Sequence, residues 1–145
     1  MKRIALSALL PLLLTACALG PAAKPEDDAK ARLLQPVPDK AVIYLIRDRG
    51  DLYSANVKLT VDGKDMGESW PGTYFRWELP PGKHTIISYT RPPAALTIDT
   101  APGGIYHVWQ DINVGRHREH SQLRIVDVAT TQQTLGSAYL LQSKE

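Results

Sequence analysis

The densest run of reactive side chains is Arg116-His117-Arg118-Glu119-His120, with Asp111 upstream. Two imidazoles and nearby carboxylates are raw material for a metal site. A zinc site needs three or four ligands, and structural sites favour cysteine. The chain has one cysteine, Cys17, and Arg116 and Arg118 would repel a cation. No metal is expected here, and the segment reads as a solvated or recognition loop. His84 follows a Pro-Gly turn and reads as a turn residue rather than a base. His107 alternates with Trp109 and reads as a partly buried, hydrogen-bonded histidine. None of Ser54, Ser69, Ser88, Ser121 and Ser137 sits in a Gly-x-Ser-x-Gly elbow. No carboxylate spacing singles out an acid and a base, and there is no phosphate loop or dinucleotide fingerprint. The expectation is a chain without catalytic residues or a cofactor.

Cys17 carries a more specific signal. Lys2 and Arg3 form a basic start, Ile4 to Leu14 is an apolar run, and Thr15 and Ala16 are small residues before a cut. The run is shorter than the roughly 20 residues that span a bilayer, and Pro11 interrupts it. Leu14-Thr15-Ala16-Cys17 resembles a bacterial lipobox. That resemblance implies cleavage before Cys17, lipid on its sulfur and acylation of the new amino terminus. The expected divisions are a signal peptide over 1–16, a lipidated cysteine and flexible tether over 17–39, and one domain over 40–145. The residue after Cys17 is Ala18, not the aspartate associated with inner-membrane retention in enteric-type bacteria. The expected location is therefore the outer membrane, facing the periplasm.

Processing alters the charge. The full chain has 17 basic and 15 acidic residues, and loss of Lys2 and Arg3 leaves 15 of each. A neutral mature chain gives no reason to expect nucleic acid as a partner. No disulfide is available, so a packed core must hold the domain.

The tether holds Gly20, Pro21, Pro25, Pro36 and Pro38. Within it, Pro25 to Leu34 has a helical charge order, with Glu26, Asp27 and Asp28 early and Lys30 and Arg32 late. Ten residues are marginal alone, so a transient helix is expected. Fully extended, the tether would reach roughly 70 Å.

From Lys40 the pattern is β. Ala41 to Arg47 is apolar on both sides, as a central strand would be. Val57, Leu59 and Val61 alternate with polar residues, and Asp62-Gly63 signals a tight hairpin. Phe75, Trp77 and Leu79 alternate with Tyr74, Arg76 and Glu78. Pro80-Pro81-Gly82-Lys83 is a turn, and His84 to Thr90 is the return strand. Leu96 and Ile98 mark another strand, as do Ile105 to Ile112 and Leu123 to Val128. Ala129 to Leu135 reads as a short helix before Gly136, and Tyr139 to Leu141 as a segment packed on the sheet. This spacing predicts an antiparallel β-sandwich of about seven or eight strands with a short C-terminal helix.

Four features resemble a family of Gram-negative lipoproteins carrying a domain of unknown function: the strand Ala41 to Arg47; Val61-Asp62-Gly63 followed by Gly67; Leu79-Pro80-Pro81-Gly82-Lys83-His84; and Gly104-Ile105-Tyr106. The match runs from about Lys40 to Val128, and its turns also resemble PEGA-type β-modules. The resemblance implies an immunoglobulin-like sandwich on a lipid anchor and brings no activity or site residues with it.

Strand parity suggests where such a domain meets a partner. If each connection reverses the chain and Lys64 to Ser69 forms a short strand, then Arg49, Tyr53, Trp70, Arg91, Arg116, His117 and His120 gather at one end. With Lys40 taken as the end near the anchor, that end faces away from the membrane. Arginine and aromatic residues are enriched in binding hot spots. The expected function is a non-catalytic, membrane-anchored module binding a protein or other envelope component. The alternative is an envelope hydrolase or small-ligand-binding lipoprotein.

Overall fold

A computed structural model describes residues 21–50, 55–115 and 119–144. The chain forms an all-β sandwich with two short helices. A helix α1 (Pro25–Ala31) precedes the strands β1 (Ala41–Arg47), β2 (Val57–Val61), β3 (Lys64–Ser69), β4 (Thr73–Leu79), β5 (Gly82–Ser88), β6 (Ala94–Thr100), β7 (Ile105–Val114) and β8 (Glu119–Ile125). Helix α2 (Val128–Leu135) and the short strand β9 (Tyr139–Leu140) close the chain. One sheet has the order β8-β7-β1-β4-β9 and the other β3-β2-β5-β6. Among the described residues no helix is long and apolar enough to cross a membrane.

The second sheet is antiparallel throughout. The first is mixed: β1 runs parallel to β7, and β9 parallel to β4. The expectation of a wholly antiparallel sandwich is corrected in those two pairs. Parity itself brings about the first of them, because an even number of reversals separates β1 from β7. Asp62 and Gly63 both have positive φ, 52° and 82°, as the two-residue hairpin between β2 and β3 requires.

Between the sheets, Ile43, Leu45, Leu59, Val61, Phe75, Trp77, Ile86, Ile98 and Val108 form the main core. A second core lies on the outer face of the first sheet. There Val42, Tyr44, Ile46 and Tyr74 meet Ala31, Leu135, Ala138 and Leu140. These two layers explain β1, which lies in the middle of its sheet with all seven residues buried.

The expected flexible tether is corrected from Pro21 onward. Ala22 pairs with Leu141 in an antiparallel bridge, and the Ala23 N–H donates to Leu140 O at 3.0 Å. The Tyr44 hydroxyl donates to Ala31 O at 2.6 Å, and the Tyr74 hydroxyl to Asp28 Oδ1 at 2.6 Å. Asp28 pairs with Arg32 at 2.8 Å. Arg32 also donates to the Leu135 and Ala138 carbonyls, capping the C-terminal end of α2. Burial raises the Asp28 pKa, but its hydrogen bonds to Arg32 and Tyr74 outweigh this, and the net shift is downward. Docking supplies what a seven-residue helix lacks alone: an apolar face to cover and partners for its ends.

Candidate functional site: the loop end of the sandwich

The short strand β3 exists, so the parity count keeps its sense. Gly72 N–H donates to Arg47 O at 3.0 Å, which sets the β3–β4 turn beside the end of β1. The parallel β7 carries Val114 to the same end. Ser121 N–H donates to Thr90 Oγ1 at 3.0 Å, bringing in the chain after β5.

Arg49 is exposed there. It donates to Ser137 O at 2.9 Å, and its guanidinium stands 5.7 Å from the Tyr139 ring centroid. Arg91 is exposed, before a cis peptide bond to Pro92. His120 is exposed on β8, opposite Asn113. Trp70 reaches this end through its backbone, which exchanges hydrogen bonds with Thr73. Its half-buried side chain packs instead against the inter-sheet core, along the flank between β3 and β9. Tyr53, Arg116, His117 and Cys17 lie outside the described residues.

Lys40 is not where the described chain first meets the sandwich. The chain reaches Lys40 only after running from Pro21 over the outer face of the first sheet. Pro21 itself lies on the β3–β9 flank, where Gln142 N–H donates to its carbonyl at 2.8 Å.

Beneath the loops is a buried polar ladder with no counterpart in the sequence reading. Gln110, fully buried on β7, accepts from Ser69 Oγ at 2.6 Å and donates to Ser88 Oγ at 2.8 Å. It thereby ties the first sheet to β3 and β5 of the second. Arg47, also fully buried, donates to Ala55 O at 2.8 Å and Ser69 O at 3.1 Å. The sequence signal was slight: a polar residue at the last position of β1, β3 and β5, and one in the middle of β7. Tyr139 was likewise missed as a member of this end, because its place depends on the return of the C-terminal segment.

The other end holds the pair closest to acid–base chemistry. His84 Nδ1 lies 2.6 Å from Asp62 Oδ2, and Nε2 lies 2.7 Å from Pro80 O. Both partners are acceptors, so both ring nitrogens carry hydrogen and the imidazolium fits best. Burial lowers the His84 pKa, but these two bonds outweigh it and the net shift is upward. A ring held this way has no lone pair to take a proton. It clamps the β2–β3 turn to the β4–β5 turn, in keeping with its reading as a turn residue.

His107 departs from expectation. It is buried and stacks on Tyr44 at 5.6 Å and 21°, and its Nδ1 has no hydrogen-bond partner. Burial is the main influence, opposed by the Asp127 charge, and the ring is held below the usual histidine range. Trp77 belongs to the inter-sheet core. Trp109 lies on the outer face, donating to Asp111 at 2.7 Å beneath the Arg124 guanidinium. Among the described residues no three His, Cys, Asp or Glu side chains are grouped to hold a metal.

No protein-family model matches the chain, and no curated protein matches it.

Proposed function

We propose that the chain is a non-catalytic envelope lipoprotein, held to a membrane through lipid on Cys17 and presenting its loop end to a protein or other envelope component. The observation that carries the reading is the convergence of Arg49, Arg91 and His120, all exposed, on one end of the sandwich. The ladder of Arg47, Ser69, Gln110 and Ser88 supports them from below. Loops held by a rigid scaffold are a common place for recognition, and exposed arginines can serve as anchors there. The lipobox-like Leu14 to Cys17 supports the anchor. Two or three acyl chains hold a protein stably, where one would be marginal. Ala18 favours the outer membrane.

Two measurements test the reading. Mass spectrometry of the mature protein is expected to find a lipidated Cys17 at its amino terminus; an unmodified cysteine or an intact Met1 end removes the anchor. An Arg49→Ala, Arg91→Ala, His120→Ala variant is expected to fold, reach the envelope and lose partners captured by the wild type. If it keeps every one, the loop end is not the binding surface.

A further inference from the structure

On one flank of the sandwich, β3 of one sheet and the segment from Leu141 to Lys144 beside the other border a small groove. Its volume is about 210 Å³; Pro21, Gly67, Trp70, Phe75 and Leu141 supply an apolar floor and wall, and the polar Glu68, Gln142 and Lys144 stand at its exposed rim. Ligand pockets for drug-sized molecules hold about 300–1,000 Å³. This one suits a narrow, flexible chain better than a ring system.

The floor is kept bare by the backbone. Leu59 pairs with Gly67 and Thr60 with Asp65, so Met66 is an extra residue and β3 bulges here. Gly67 has φ of 117°, a conformation L side chains rarely adopt, and a Cβ there would lie 3.2 Å from Phe75 Cζ. Its N–H is held by Asp65 Oδ1 at 2.9 Å. The bulge and the glycine together leave the edge of the Phe75 ring facing the groove.

One wall is the start of the described chain. Pro21 is fixed by the hydrogen bond from Gln142, and its neighbour Ala22 by the bridge to Leu141. Cys17 lies four residues before Pro21, at most about 14 Å of extended chain. Whatever Cys17 carries therefore begins within a short reach of this groove.

We propose that this groove seats part of an acyl chain carried by Cys17, so that the domain packs against its own anchor. The inference rests on the lipidation proposed above. Of three chains on a fully acylated cysteine, one in the groove leaves two for the bilayer, which is the number stable anchoring requires.

The test uses the mature lipoprotein, protonated, in a fully deuterated detergent, so that the long methylene chains observed are its own. Nuclear Overhauser contacts are expected from chain methylenes to the Trp70 indole and Phe75 ring protons. The mature chain carrying Cys17→Ser, made without its leader and placed in the same detergent, is expected to lose those contacts. It should also melt lower by about 5 °C. Mass spectrometry on the same sample separates the two claims. Lipid on Cys17 with no methylene contact to either ring overturns the seat and leaves the lipoprotein reading standing. Contacts arising from Leu19 methyl groups instead overturn it too, by naming a different occupant. An unlipidated Cys17 removes both.

Discussion

Two histidines give the molecule opposing responses to pH. His84 has a raised pKa because Asp62 and the Pro80 carbonyl hold its charged form. Its contribution is complete below the ordinary value of 6.5 and is lost as pH rises through the raised one. Asp62 has a lowered pKa: burial raises it, but the bonds from His84 and the Thr85 N–H outweigh that. Its share is present above 3.8 and is lost as pH falls through the lowered value. With Asp62 about half exposed, the pair is worth about 1 kcal/mol. His107 works the other way. Below pH 6.5 the unfolded chain takes up a proton that the buried ring resists, so stability falls. In urea titrations across pH 4.5 to 8, His84→Gln is expected to flatten the alkaline side and His107→Phe the acid side. The reverse assignment would mean that the two environments have been read wrongly. The turn role of His84 was legible from Pro80 to Lys83 alone. Its partner Asp62 was not, because the two turns meet only when the sheets close.

At the scale of elements, the strands were easier to read than what covers them. Alternation marked β2 and β4, and the two-sided apolar run marked β1 as central. The same run also implied a second layer, since Val42, Tyr44 and Ile46 must face something on the outer side. The sequence did not name the layer, because α1 carries few large apolar residues and is held largely by Tyr74, Arg32 and backbone carbonyls from a distant part of the chain. Arg32 is the latch, joining Asp28 of α1 to the carbonyls of Leu135, the last residue of α2, and of Ala138 just beyond it. Arg32→Ala removes its ion pair and the cap on α2 together. Amide exchange over residues 22–35 is expected to rise by tenfold or more, matching a loss of about 1.5 kcal/mol, while β1 and β4 keep their protection. Equal acceleration throughout the sheet would mean that the segment is no separate unit.

For the whole molecule, counting reversals brings Arg49, Arg91 and His120 to one end, while the Trp70 side chain turns to the core and Tyr53, Arg116 and His117 lie outside the described residues. What anchors that end was not legible in the sequence. Gln110 interrupts an apolar strand, and only the closed sandwich shows that Ser69 and Ser88 satisfy both ends of its amide. Gln110→Leu fills a similar volume but deprives two buried hydroxyls of their cross-sheet partner. It is expected to cost about 2 kcal/mol in chemical denaturation, whereas Gln122→Leu on the exposed edge should change stability by less than about 0.5 kcal/mol. Equal effects would deny the ladder its role. The place of β1 between β4 and β7 has a further consequence in time. A chain emerging from its N-terminus presents Ala41 to Arg47 first, but the strand acquires one neighbour only when Thr73 to Leu79 has followed, and the other only after Ile105. Until then it is a two-faced apolar ribbon with free edges, the kind of segment that pairs with copies of itself. Closing a parallel pair across so much intervening chain is slow, so the hazard in this protein's biogenesis lies in how long one strand must wait for partners encoded far downstream.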